Sequence, residues 1–188
     1  MEKMASQGRK IVTVFGAGAP PPESPVYAEA RAMGHLLAEA GYAVATGGYG
    51  GVMAGVSQGA HEAGGHVIGV TCERIEQYRH AQKNPWVREE VRYQMMRDRM
   101  YHLITFADAL VAMRGGVGTL GEVAAAWNGM QTGEIPARPF VLVGPGWRAT
   151  FDVFLAEMDG LVKPSDVGLL TFCADPGEAI IALRGALG

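Results

Sequence analysis

Short apolar runs alternate with longer amphipathic stretches from residue 11 to residue 143. Ile11 to Phe15 is apolar and β-branched and runs into Gly16-Ala17-Gly18, the pattern of a buried strand ending in a glycine turn. Val26 to Ala40 then sets Ala30, Met33, Leu36, Leu37 and Ala40 at helical spacing, and Gly41 stops it. The unit repeats. Tyr42 to Thr46 is apolar, Gly47-Gly48-Tyr49-Gly50-Gly51 follows, and a helical stretch runs from Val52 to Ala63 before Gly64-Gly65. His66 to Thr71 predicts a third strand. Ala109 to Met113 predicts a fourth, entering Arg114-Gly115-Gly116-Val117-Gly118-Thr119 with a helix from Leu120 to Gln131 behind it, and Phe140 to Val143 a fifth.

Strands alternating with helices at this spacing predict parallel βαβ units with right-handed crossovers. The expected fold is α/β, a Rossmann-like, doubly wound, mainly parallel sheet with helices on both faces. Its ligand edge lies at the carboxyl ends of the strands, where all three glycine loops fall. Between Cys72 and Met100 a polar stretch rich in Arg, Glu and Gln fits no single helix period and reads as loop, then helix. Beyond Thr150, two helices, Phe151 to Met158 and Pro176 to Leu187, are expected to cap one sheet edge. Residues 1–8 read as a flexible tail and residues 9–188 as one domain.

The 27 glycines among 188 residues exceed the average share while the apolar fraction is an ordinary 48%, so the surplus marks special backbone positions rather than low complexity. A net charge of -3 gives no basic field for a polynucleotide partner. Cys72 and Cys173 stand far apart, suggesting neither a disulfide framework nor a zinc site, and the five histidines form no ligand set; no metal is expected. With no secretory pattern at Met1 to Lys10 and no apolar run of membrane length, a cytoplasmic protein without a membrane partner is expected.

The glycine loops differ in promise. Gly16 and Gly18 supply two glycines of a dinucleotide fingerprint, but Pro21 stands where the third belongs, so nucleotide contact and a plain tight turn weigh evenly. Gly47, Gly48 and Gly51 open a helix whose amides and dipole suit an anion, and close strand packing is an equal alternative. The third loop, Gly115, Gly116, Val117, Gly118 and Thr119, adds a hydroxyl and the Arg114 guanidinium and makes the better phosphate cradle. It has no Gly-Lys-Ser/Thr ending for a magnesium P-loop. Glu122, one turn on, projects near its ligand or serves as an acid favoured by the helix dipole.

Arg114-Gly115-Gly116-Val117-Gly118-Thr119-Leu120-Gly121-Glu122 resembles the Pro-Gly-Gly-x-Gly-Thr-x-x-Glu signature of the LOG (Lonely Guy) nucleoside 5′-monophosphate phosphoribohydrolases, a family often mislabelled as lysine decarboxylases. Met96-Arg97-Asp98-Arg99-Met100-Tyr101-His102-Leu103 is similar to the family's Met-x-x-Arg-Lys-x-x-Met stretch, and Gly47-Gly48 through Gly51-Val52-Met53 to its Gly-Gly…Gly-x-Met element. Arg114, Met100 and Leu103 depart from the pattern, and the Gly47 loop is one residue shorter than in plant-type members.

The resemblance implies hydrolysis of the N-glycosidic bond of a nucleoside 5′-monophosphate of the AMP or N6-modified AMP class, as in cytokinin activation, releasing free base and ribose 5-phosphate. Glu122 would stabilise the oxocarbenium-like transition state or position the water, Arg99 would steady base or ribose, and the third loop would hold the phosphate. Met96 and Met100 are candidates for the base pocket, against a plain core role. No cofactor is needed. A homodimer across the helices flanking the site is also implied, with Arg88, Arg92 or Tyr93 reaching towards the partner. The alternative within the same fold is a non-catalytic nucleotide-binding or molybdenum-cofactor carrier protein, to which Arg114 would offer an extra charge. The four lysines follow no pyridoxal-phosphate motif, and His102 lies near the site but reads more naturally as structural.

Overall fold

The computed structural model describes residues 8–188, so the expected tail lies, except for Gly8, outside the described residues. The elements in chain order are β1 (Ile11–Phe15), α1 (Pro25–Glu39), β2 (Ala43–Thr46), α2 (Val52–Glu62), β3 (Val67–Cys72), α3 (Glu73–Arg79), β4 (Glu89–Tyr93) and α4 (Met96–Thr105). They continue with β5 (Ala109–Ala112), α5 (Val117–Thr132), β6 (Phe140–Val143), α6 (Pro145–Glu157), α7 (Pro164–Val167), β7 (Thr171–Cys173) and α8 (Pro176–Leu187). All seven strands form one parallel sheet in the order β4-β3-β2-β1-β5-β6-β7. This is the doubly wound Rossmann-like architecture expected.

Apolar side chains cover both faces, which is why the central strands read as continuous rather than alternating apolar runs. On one face Phe15, Ala45, Val70, Leu103, Leu110, Phe140 and Phe151 pack together under α4, α5 and α6. On the other, Val12, Val14, Met33, Leu37, Val56, Val111, Ile180 and Leu183 pack under α1, α2 and α8. Helices α1 and α2 approach until backbone meets backbone: a Cβ on Gly34 would lie 2.0 Å from the Val56 carbonyl oxygen, and one on Gly59 would lie 1.8 Å from that of Arg31.

Four expectations need correction. The polar stretch after Cys72 contains a helix, α3, and a strand, β4, before α4 begins. β4 is an edge strand whose charged side chains find partners: Glu89 contacts His66 at 2.8 Å, and Glu90 accepts from Thr71 (2.7 Å) and Lys83 (2.7 Å). Its polarity therefore hid a strand that needs only Val91 and Tyr93 against the core. The third loop is shorter than expected, because α5 starts at Val117 and takes Gly118 and Thr119 into its first turn. Helix α6 begins at Pro145, whose fixed φ suits the first helical position, and not at Phe151. Finally, a seventh strand, β7, forms that edge, while α6 and α8 pack on opposite faces rather than capping it. Among the described residues no helix is long and apolar enough to cross a membrane, and no cluster of three metal-ligating side chains occurs.

Candidate functional site

From β1 the chain steps outward through β2 and β3 to β4, then crosses back through α4 to β5 on the other side of β1 and steps outward again, and such a switch point opens a crevice at the carboxyl ends of the strands. The three glycine loops interlock around it. Ala17 N–H donates to the Arg114 carbonyl (3.1 Å), and Val52 N–H donates to the Ala17 carbonyl (2.8 Å). Gly51 has φ +63°, and a Cβ there would stand 2.3 Å from the Ala17 oxygen, so only glycine lets the second loop dock on the first.

A cleft of about 920 Å³ opens above these loops. Of the residues singled out by sequence, Gly16, Gly18, Gly116, Val117, Gly118, Thr119, Arg99, Glu122, Met96 and Met100 line it. Gly47, Gly48 and Gly51 lie buried behind the wall instead, and Arg114 and Gly115 are exposed outside the cleft. A Cβ on Gly47 would meet Arg99 Nη2 at 1.8 Å, one on Gly48 would crowd Thr71 at 3.0 Å, and one on Gly115 would meet Thr119 Oγ1 at 2.1 Å. Arg114 points to α1, with Nε 3.4 Å from a Glu29 carboxylate oxygen. His102 also sits outside the cleft, its Nδ1 2.9 Å from the Tyr93 hydroxyl and its ring stacked on Phe106. Arg92 is engaged by Glu76.

The N-terminus of α5, like that of α6, has a glycine cap without a side-chain hydrogen bond, and of the two it is α5 whose first turn lines the cleft. Ser24 caps α1, Asp175 caps α8, and the Ala17 carbonyl takes the first N–H of α2. At α5 the cap is Gly116, with no side-chain hydrogen bond and no acid in the first turn. Its amides and its positive dipole end thus face the cleft, an arrangement suited to an anion. The buried Thr119 stands beside them.

Glu122 and Arg99 face each other within the same cleft. Arg99 Nη1 lies 3.9 Å from Glu122 Oε1, and both side chains are largely buried. Arg99 Nε donates to the Val70 carbonyl at 2.7 Å, and its guanidinium lies 5.8 Å from the Tyr49 ring centroid. Burial pushes the Glu122 carboxyl up to about 7, against the opposing pull of Arg99. At neutral pH this group is poised between its two protonation states.

Sequence reading did not single out Tyr49, Met53, Ile75, Ala81, Gln82 and Arg97 as site residues, and they add to the cleft wall. Tyr49 carried a signal, as the single bulky residue inside a run of four glycines at a strand end. Ile75 to Gln82 carried none, because that wall exists only once β4 has turned the polar segment back along the sheet.

Sheet order, loop interlock and cleft define a Rossmann-like protein with a ligand-sized crevice at its switch point. The chain belongs to the SLOG cluster4 family, whose profile matches residues 9–132. It is 31% identical over 115 residues to an uncharacterised protein of Archaeoglobus fulgidus, spanning 61% of this chain and 72% of that one. Among solved structures it is similar to the molybdenum cofactor carrier protein of Chlamydomonas reinhardtii (TM-score 0.71, 28% identity, 95% of this chain and 98% of that one). It shares its fold with the molybdenum cofactor binding protein of Rippkaea orientalis (TM-score 0.74, 23% identity, 96% and 98% coverage). The resemblance to LOG proteins thereby holds at the level of the SLOG superfamily.

Proposed function

We propose that this protein binds and carries a phosphate-bearing pterin ligand of the molybdenum-cofactor class. The observation that carries this reading is the uncapped N-terminus of α5 opening into a cleft of about 920 Å³. That volume is near the upper end of the roughly 300–1,000 Å³ usual for small-molecule sites, leaving room for more than a phosphate and one small ring. In this reading the amides of the first turn of α5 hold the phosphate. Met53, Ile75 and Met100 offer an apolar wall to the fused rings, and Arg99 faces the remaining negative charge. Likeness to the Chlamydomonas reinhardtii carrier supports it. Incubation with cofactor released from a molybdoenzyme, followed by gel filtration, tests it. Molybdenum and pterin fluorescence should co-elute with the protein in equal amounts, and their absence from the protein peak overturns the reading.

The Arg99–Glu122 pair favours a second reading, hydrolysis of a nucleoside 5′-monophosphate at its N-glycosidic bond. A carboxyl titrating near 7 is suited to acid–base work at neutral pH, and its anion to stabilising an oxocarbenium-like transition state. A panel of nucleoside 5′-monophosphates, scored for free base by chromatography beside Glu122→Gln and Arg99→Ala, separates the two. Base release by the wild type alone establishes the hydrolase.

Both readings take the assembly as a homodimer across α4 and α5, where Tyr101, Val117 and Leu120 expose apolar side chains beside the cleft. Light scattering at the mass of two chains is the expected result.

A further inference from the structure

The Arg99–Glu122 pair is held open. A closed Arg–carboxylate pair brings nitrogen and oxygen to about 2.7–2.9 Å, often through two parallel bonds, whereas here the pair stands at 3.9 Å. The contacts that restrain the guanidinium include the Val70 carbonyl that accepts from Nε, the backbone of Gly47, where a missing side chain leaves room for Nη2, and the face of Tyr49. The 5.8 Å from Cζ to the ring centroid falls inside the roughly 6 Å reach of a cation–π contact.

Tyr49 is itself fixed at both ends. Its hydroxyl accepts from Cys72 N–H (2.7 Å) and offers its proton to the Cys72 carbonyl (3.0 Å) and to Glu76 (3.2 Å). Its own carbonyl accepts from Asn84 Nδ2 (3.1 Å), and Asn84 N–H donates to the neighbouring Gly48 carbonyl (2.8 Å). Burial pushes the phenol up to about 12, so the ring opposite Arg99 is neutral at physiological pH. The remaining charged group on the cleft wall, Arg97, is an exposed rim residue 3.0 Å from Asp98. Arg99 is therefore the cation that governs Glu122.

We propose that Tyr49 is a positioning residue: its ring holds the Arg99 guanidinium back from Glu122, so that the positive charge stays turned towards an incoming anion. This deepens the ligand reading above, but the geometry is tested in the ligand-free protein. Carboxyl carbon-13 NMR follows the titration of Glu122, with Glu122→Gln assigning its resonance. Tyr49→Phe keeps the ring, while Tyr49→Met fills the space without a π face, and Tyr49→Leu is a second ringless variant should Tyr49→Met fold poorly.

The wild type should titrate at about 7, and Tyr49→Phe within about 0.3 of it. The ringless variants should titrate lower by about one pH unit as Arg99 closes on the carboxylate. Ringless variants that titrate with the wild type or above it, or Tyr49→Phe moving as far as they do, overturn the proposal. Failure of wild-type protein to bind molybdenum cofactor would sink the carrier reading and leave this titration unaffected.

Discussion

Glu122 offers the sharpest test of the site's electrostatics, because it couples a named carboxyl to global stability. Its folded value, about 7, lies above its ordinary 4.5 because burial penalises the anion more than Arg99 favours it. The folded state thus holds the proton more tightly than the unfolded chain. The stabilising contribution is complete below pH 4.5 and is lost as pH rises through about 7. The interval corresponds to about 3 kcal/mol at 1.36 kcal/mol per pH unit. Glu122→Gln keeps the shape and removes the ionisation. Urea unfolding of both proteins from pH 5 to pH 8.5 should show the variant gaining on the wild type by about 2–3 kcal/mol across that range. In melting temperature that is roughly 4–12 °C for a chain of this size. A stability gap between the two proteins that stays constant with pH would refute the argument and mean that Glu122 is ionised throughout.

His102 should produce the opposite limb of the pH profile. Burial lowers its pKa and its Nε2 has no partner, so stability present above its ordinary 6.5 is lost as pH falls below it; His102→Phe should flatten that acid limb in the same unfolding series. Gly51→Ala forces a side chain into φ +63° and against the Ala17 carbonyl, and thermal melts should show a loss of about 2 kcal/mol or more. Arg138 donates to the carbonyls of Ile104, Thr105 and Ala107 at the end of α4, and Arg138→Ala should cost about 1–3 kcal/mol by leaving them unsatisfied. Arg114→Ala breaks a half-exposed pair with Glu29, and denaturant midpoints should register less than about 1 kcal/mol.

The parts of this protein that sequence alone determined are those with a local cause. Ile11–Phe15 and Phe140–Val143 are strands because a run buried on both faces must be largely apolar, Thr13 being the one hydroxyl between them, and their predicted and observed limits coincide. The glycine loops fall at strand ends because the chain must turn there with no room for side chains, and alternation of strand and helix then implies a parallel sheet. Arg99, Glu122 and the third loop were legible as a set through the resemblance to the LOG motifs, and Arg99, Glu122 and Gly116 to Thr119 meet in one cleft.

Tertiary structure decided what depends on partners distant in sequence. β4 is a strand because β3 offers it an edge and His66, Thr71 and Lys83 give its acids hydrogen-bonding partners, and β7 because β6 offers it an edge. Glu29, from α1, draws Arg114 away from the cleft, and Gly47 proved to be space reserved for Arg99. Tyr49 reaches its role through Cys72 and Asn84, 23 and 35 residues along the chain. Local propensity sets the backbone, but the charge state and direction of a buried side chain follow from neighbours that only folding brings together.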